Sequence, residues 1–246
     1  MLPLAFLILV RLSVPGSDTG AGAQGSMVQA SSGPGAAFAR YLQGLDRARP
    51  WQLETIEIDA SLPKLKKHGR LTAIRRLLPF GKPEFQVLEM DGDATVRQQV
   101  IVRYLNAEVS AASLPPGSVA ISPQNYKFRY AGSLTSGTES AYIFDITPRQ
   151  KREGLIKGQL WIDANTGEVL RQSGYLVKRP SLFLKRVDLM REIEVHNGVA
   201  DARVTHLSLD TRLVGRAELM IHERPCGVCV TSAYGASGAE APSADR

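Results

Sequence analysis

Apolar and polar residues alternate along the second half of the chain. Between residues 138 and 187, Tyr142, Phe144 and Ile146 occupy every second position of one segment, and Leu160 and Ile162 do so in the next. Successive side chains of a β-strand point to opposite faces of a sheet, so this pattern predicts strands with one apolar face.

A turn motif follows the second of these segments. Residues 163–167 read Asp-Ala-Asn-Thr-Gly. Asp and Asn bond their own backbone in turns, and Gly accepts the positive φ angle that closes a bulged hairpin. With residues 168–178 as a third strand, the sequence predicts an antiparallel meander.

Further strand patterns lie on both sides of the meander. Asn197 and Gly198 form a two-residue hairpin signal between two of them. Leu189 and Ile193 share one face before that signal, and Leu219 and Ile221 share one face after it. The additional predicted strands cover residues 51–62, 71–78, 85–90, 126–130, 187–195, 203–212 and 214–224.

Two segments have helical periodicity. Residues 36–48 place Phe38, Tyr41, Leu42 and Leu45 on one helical face. Residues 94–112 carry a longer apolar stripe that ends before two prolines. The chain is therefore predicted to be an α+β protein in which helices cover one side of an antiparallel sheet.

The meander also carries a family motif. An aromatic strand ends in Ile-Thr-Pro, and after a polar loop the chain reads Gly-Gln-Leu-Trp-Ile-Asp-x-x-Thr-Gly-x-Val-Leu-Arg. This motif resembles the lipoprotein-localisation (Lol) carriers, most closely over residues 142–171 and in the order of elements over residues 36–223. The resemblance implies a strongly curved antiparallel β-sheet, a half-barrel, with helices covering its apolar concave face.

The resemblance and the alternation together predict a ligand cavity on the concave face. The function that the resemblance implies is to bind lipoprotein acyl chains, or another lipid, as a carrier in the cell envelope. The alternative is an envelope sensor or adaptor of the same fold that binds lipoproteins or a membrane-protein partner without transporting them. The expected lining residues are Tyr142, Phe144, Ile146, Leu160, Ile162, Leu189, Ile193, Leu219 and Ile221.

The N-terminal residues predict export. An apolar run over residues 2–10 is too short to span a bilayer, and Ala21-Gly22-Ala23 fits a signal-peptide cleavage site. No Cys lies near this site, so the expectation is a periplasmic protein without a lipid anchor. The predicted organisation is a signal peptide (1–23), a flexible leader (24–35), the half-barrel domain (36–225) and a Cys-bearing disordered tail (226–246).

The charge of the chain is modestly positive. There are 30 basic and 24 acidic residues, a formal net charge of +6. This excess suits weak attraction to an anionic membrane surface, and no nucleic-acid-binding motif accompanies it. The basic cluster below is interpreted as a solvated strand pair or, alternatively, as a membrane-surface contact: Lys64, Lys66, Lys67, His68, Arg70, Arg75 and Arg76.

Candidate chemistry is sparse. The sequence contains no Ser-His-Asp order, paired-carboxylate motif, phosphate loop or metal-ligating helix, so we expect no enzyme activity, no cofactor and no metal site. Cys226 and Cys229 form the one reactive-looking motif. In an exported protein they are expected to form a local disulfide. Reduced thiols and a metal or redox role are the alternatives.

Overall fold

The computed structural model describes residues 33–47, 51–78, 82–137, 139–179, 184–196, 199–212 and 215–226. Its helices are α1 (Pro34–Arg47), α2 (Ala94–Val96), α3 (Val102–Ala111) and α4 (Pro116–Val119). Its strands are β1 (Leu53–Leu62), β2 (Lys67–Leu77), β3 (Pro83–Gly92), β4 (Tyr126–Ser136), β5 (Glu139–Pro148), β6 (Ile156–Asp163), β7 (Val169–Leu176), β8 (Leu184–His196), β9 (Val199–Thr211) and β10 (Arg216–Pro225).

All ten of these strands form one antiparallel sheet. The strand order is β3-β2-β1-β10-β9-β8-β7-β6-β5-β4, so β3 and β4 are the two edges. Strand β1 pairs with β10 and joins the two halves of the sheet. The chain between the two edges carries α2, α3 and α4. The predicted fold, an open curved antiparallel sheet with helices, is confirmed.

Two glycines allow β6 and β7 to approach closely. Gly158 pairs with Gly174 across these strands. A Cβ atom on Gly158 would collide with the backbone carbonyl oxygen of Ser173, and one on Gly174 would collide with the carbonyl oxygen of Lys157. Glycine is therefore needed at both positions of this close approach.

The core lies between the concave face and the helices. Alternate residues of β1, such as Ile56 and Ile58, are fully buried in it. Tyr41 of α1 and Tyr104 and Leu105 of α3 belong to the same hydrophobic cluster. The apolar stripes predicted for both helical segments therefore pack against the sheet, as their periodicity predicts.

The second helical segment differs in detail from the continuous α-helix predicted over residues 94–112. A π-helical turn, Arg97–Ile101, separates α2 from α3. Asp93 caps α2, because its Oδ1 accepts a hydrogen bond from the Thr95 amide at 2.7 Å. The π-turn buries both Val100 and Ile101 against the sheet.

The basic cluster on β2 does not form one solvated face. Arg70 is exposed and pairs with Asp59 at 2.8 Å, as predicted for a solvated strand pair. Arg75 departs from the prediction because only 7% of it is exposed. Acidic side chains from β1, α3 and β10 surround Arg75.

Several predictions fall on residues outside the described ranges. They include the signal peptide, most of the leader, the tail beyond Cys226, and the hairpin residues Asn197 and Gly198. The pairing of His196 with Val199 brackets that hairpin, and α1 begins at Pro34. Cys226 is disulfide-bonded, and its predicted partner Cys229 lies outside the described residues. Within the described part of the chain, no helix has the length and apolarity needed to cross a membrane.

Candidate functional site

The nine residues predicted to line a cavity all lie in or against one apolar cluster. Tyr142 and Ile193 are partly buried and pack against this cluster. The structure therefore brings the predicted set together, and its contact with a ligand stays a prediction. The seven buried members are Phe144, Ile146, Leu160, Ile162, Leu189, Leu219 and Ile221.

An aromatic cluster marks the place where this apolar face reaches solvent. The ring of Phe38 of α1 packs at a tilt against those of Phe128 of β4 and Phe144 of β5, with centroid distances of 4.8 and 5.2 Å. The ring of Tyr130 lies 5.8 Å from that of Phe144 and 6.1 Å from that of Tyr142. Tyr130 is 47% exposed. We call these five residues the aromatic cluster.

Helix α1 contributes Phe38 to the aromatic cluster and packs on the β6–β7 turn. Gly167 has φ +78°, and a Cβ atom there would lie 2.7 Å from Cβ of Arg40 and 2.8 Å from the carbonyl oxygen of Ala37. The Arg40 Nη2 group donates a hydrogen bond to the carbonyl oxygen of Ala164 at 2.7 Å. Residues 163–167, the turn motif that predicted the hairpin, therefore also form the surface on which α1 packs.

A buried tyrosine connects α1 to the segment before β4. The Tyr41 hydroxyl donates to the carbonyl oxygen of Ile121 at 2.5 Å. Burial, helped by nearby Tyr126, raises the pKa of Tyr41, so the phenol is neutral and remains a donor at physiological pH.

A buried charge network lies around the junction of β1 and β10. Arg75 contacts carboxylates of three elements: Glu54 of β1, Glu108 of α3 at 3.1 Å and Glu223 of β10 at 3.0 Å. Arg203 of β9 donates to Glu223 at 2.7 Å. Arg191 of β8 lies among the same groups. We call these six residues, three arginines and three glutamates of balanced formal charge, the buried charge network.

The network attaches α3 to the sheet through charge. Glu108 is the member on a helix, and only 2% of it is exposed. Its partner Arg75 belongs to β2. Charged groups stay buried only when they are paired, so this attachment depends on the whole set being present.

The pKa values of the carboxyl groups reflect competition between burial and pairing. Desolvation raises the pKa of Glu54 and Glu108, and Arg75 opposes that effect. Desolvation also acts on Glu223, but Arg203, Arg75 and Arg191 outweigh it and lower the pKa of Glu223 to about 2. Glu223 is therefore the firmly ionised carboxylate of the network.

A small cavity lies beneath α3, beside the network. Its volume is about 10 Å³, which is at the lower limit for one water molecule. Helix α3 therefore leaves almost no free space above this part of the sheet, and a ligand that occupies it needs α3 or its side chains to move. The cavity is lined by Tyr104, Glu108, Leu176, Val187, Leu189, Arg191, Thr205 and Leu207.

A larger groove of about 480 Å³ runs along β1, β2, β8, β9 and β10. Carboxylates and imidazoles such as Asp59, His206 and Glu218 lie along it. Leu189 and Leu219 of the predicted lining set also border this groove, whereas the aromatic cluster lies on other elements. In the described part of the chain, no three carboxylate, imidazole or thiol groups are close enough together to hold a metal ion.

Sequence reasoning missed the buried charge network. Glu54 does alternate with Ile56 and Ile58 on β1, which is the signal that places its side chain inside. Arg191 interrupts the apolar face of β8 in the same way. A charged residue at an inward-facing position of a strand was therefore the signal of this network. The sequence does not identify the partners of such a residue, because they come from distant parts of the chain.

Comparison with known proteins gives matches only among solved structures, all at low sequence identity. No protein-family model matches the chain, and no curated protein does. A DUF1329 family protein from Desulfovibrio piger is 12% identical, with a TM-score of 0.39, over 83% of this chain and 97% of that one. A LolA superfamily protein from Nitrosomonas europaea is 10% identical, with a TM-score of 0.36, over 76% and 90%.

A third match is a domain from Vibrio parahaemolyticus that is classed with outer membrane lipoprotein-sorting proteins. It is 9% identical, with a TM-score of 0.36, over 76% of this chain and 89% of that one. Two of the three matched structures carry LolA or lipoprotein-sorting names, which are the names of the family that the sequence motif resembles. At these identities and TM-scores, the functional interpretation rests on the chain's own residues.

Proposed function

We propose that the protein is an exported envelope carrier that holds an acyl chain of a lipoprotein, or of another lipid, against the concave face. The observation that supports this function is the aromatic cluster, which continues the buried apolar face to solvent at the β4 edge. A ligand chain that enters there reaches Phe144 and then the residues of β5 and β6 without crossing a charged group.

The energetics of burial favour such a ligand. Each methylene of an acyl chain contributes about 0.8 kcal/mol when it leaves water. Phe144 and Leu160 are buried, so an acyl chain that reaches them must displace α1 or the side chains around them. Helix α1 is the candidate cover because its Phe38 packs against Phe128 and Phe144 at the proposed entrance.

The partners in this proposal follow from the same surface. The protein takes up acyl chains, and its positive charge supports transient contact with an anionic membrane surface or a membrane-protein partner. The periplasm is the proposed location, since the N-terminal residues have the features of a signal peptide. The proposal requires no cofactor and no catalytic residue.

An adaptor without transport activity is the second candidate function. Strand β3 is an edge strand, and Val87 and Leu88 on it are 47% and 55% exposed. An edge strand with exposed apolar side chains can pair with a strand of another protein. In that case the concave face serves only as core, and the protein binds a partner through β3.

Native mass spectrometry of the protein purified from an envelope extract separates these two functions. The carrier retains a lipid adduct, and organic extraction of the same sample releases an acyl lipid at a stoichiometric level. A protein that carries no lipid and shows no saturable binding of a fluorescent fatty-acyl probe would reject the carrier function and favour the adaptor.

Substitution of Tyr130 tests the proposed entrance. We expect Tyr130→Ser to weaken binding of the fatty-acyl probe about tenfold, because the ligand loses an aromatic contact worth roughly 1–2 kcal/mol. The fold should tolerate the change, since the ring is 47% exposed. The measurement is a probe titration at constant protein concentration, with circular dichroism to verify folding.

The matched control is Tyr175→Ser. Tyr175 lies on β7, and its ring packs under the Arg186 guanidinium at 4.5 Å, away from the aromatic cluster. This variant should bind the probe as the wild type does. Equal losses in the two variants would show that the probe does not enter at Tyr130.

A further inference from the structure

Gln172 is a buried polar side chain on the concave face. It is fully buried, and neither its Oε1 nor its Nε2 atom has a hydrogen-bond partner among the described residues. Buried amide groups are normally hydrogen-bonded, because leaving them unpaired is unfavourable. A side chain of this kind in the middle of a strand needs an explanation.

Gln172 begins a short row of polar residues across an otherwise apolar surface. It pairs with Leu160 of β6 on one side and with Arg191 of β8 on the other. Arg191 pairs in turn with Thr205 of β9 and donates a hydrogen bond to its hydroxyl at 3.0 Å. The next residue in the row is Ile221.

The position of this row relates it to the proposed acyl site. Leu160 pairs with Phe144, which is a member of the aromatic cluster. A ligand that follows the concave face from the aromatic cluster therefore meets Phe144, Leu160 and then Gln172. Arg191 and Thr205, beyond Gln172, line the small cavity beneath α3.

The chemistry of Gln172 specifies what the ligand must present. A carboxamide offers one acceptor oxygen and two N–H donors on adjacent atoms. A carbonyl group with a neighbouring N–H or O–H can satisfy both sides of it with two parallel hydrogen bonds. A simple ester carbonyl can only accept, which leaves Oε1 unpaired.

We propose that Gln172 is a specificity-determining residue that binds the polar end of an acyl ligand whose carbonyl carries an adjacent hydrogen-bond donor, such as a fatty-acyl amide or a protonated fatty acid. This inference rests on the proposed acyl-binding function. It adds that amide-type ligands bind more tightly than esters of equal chain length.

The test is displacement of the fluorescent fatty-acyl probe by dodecanamide and by methyl dodecanoate. The wild type should bind the amide about tenfold more tightly, which corresponds to about one net hydrogen bond. In Gln172→Leu, the ratio of the two affinities should fall to about one. The melting temperature of that variant without ligand should rise, because an unpaired buried amide is removed.

Two further variants make the test specific. Gln159→Leu is the matched control: Gln159 lies on β6, and its side chain bonds Asp145 at 3.3 Å and the Trp161 indole at 3.5 Å. It should retain the wild-type preference for the amide. Gln172→Met supplies an unbranched side chain of similar length, for use if the leucine variant fails to fold, and should also lose the preference.

The outcomes separate this inference from the function on which it rests. Saturable probe binding with equal affinities for amide and ester in the wild type would overturn the inference and leave the carrier function standing. An amide preference that persists in both Gln172 variants would also overturn it. Absence of probe binding by the wild type would overturn both.

Discussion

Arg75→Ala is expected to lower the free energy of unfolding by about 3–5 kcal/mol, the usual cost of leaving buried charges without their partner. Arg75 is the residue that contacts Glu54, Glu108 and Glu223 together. Without it, carboxylates from β1, α3 and β10 approach one another in a site that excludes water. Chemical denaturation at neutral pH measures the loss.

The control for this substitution is Arg70→Ala on the same strand. Arg70 pairs with Asp59, and both side chains are substantially exposed. Exposed ion pairs contribute little, so this variant should unfold close to the wild type. Equal effects of the two substitutions would contradict a special role for the buried charge network.

The loss in Arg75→Ala should depend on pH. Desolvation already raises the pKa of Glu54 and Glu108, and removal of the arginine raises both further. A carboxyl group whose folded pKa exceeds its unfolded value loses stability as pH rises through that interval. The variant should therefore recover part of its deficit as the pH is lowered from neutral toward the ordinary pKa of a glutamate.

The effect of Glu223 on the pH dependence of stability has the opposite sign. Its folded pKa of about 2 lies below the ordinary value of a glutamate. Its contribution to stability is therefore fully present above the unfolded pKa and disappears as pH falls toward 2. Arg75→Ala removes one of the three arginines that lower this pKa, so the variant retains less of the Glu223 contribution at neutral pH than the wild type does.

Gly167→Ala is expected to lower the free energy of unfolding by about 2–3 kcal/mol, through backbone strain and a steric collision. The new Cβ atom meets the Arg40 Cβ and the backbone amide nitrogen of Tyr41, both at 2.7 Å. Helix α1 must move outward, which uncovers the aromatic cluster. We therefore expect tighter binding of the fatty-acyl probe in a less stable protein.

Gly137→Ala separates the effect of backbone strain from the effect of the collision with α1. Gly137 has φ +60°, and a Cβ atom there would meet nothing within 4 Å. This control carries the strain of a positive φ angle without contacting α1. It should lose less stability than Gly167→Ala and leave probe binding unchanged. Tighter binding in both variants would mean that general loosening, and not displacement of α1, opens the site.

The strands and helices could be predicted because their signals are local. Alternation at Tyr142, Phe144 and Ile146 depends on the strand itself, and the apolar stripe of residues 94–112 depends on the helix. The pairing of β1 with β10 has no comparable signal, because its residues are far apart in the chain. The same applies to Arg75, whose partners come from three other elements.

The residues of the apolar face could be predicted from the sequence, but the packing of helices over that face could not. Side-chain alternation identifies Leu160 and Ile162 as residues of one face. Whether helices fill the space above that face depends on packing between distant segments, such as Phe38 of α1 against Phe128 of β4. Gln172 illustrates the same limit, since a glutamine within a strand is usually assigned to the solvent side.

The central claim is that an acyl chain binds on the concave face, and methyl NMR tests it most directly. With the isoleucine methyl groups labelled, a saturating fatty-acyl ligand should give intermolecular NOEs to Ile146, Ile162 and Ile221, which are fully buried on that face. Ile143 alternates with the inward residues of β5 and serves as the outward-facing control. NOEs to the three inner methyl groups, with none to Ile143, are the predicted result. Saturable binding with NOEs confined to Ile143, or with none to the inner groups, would contradict the account.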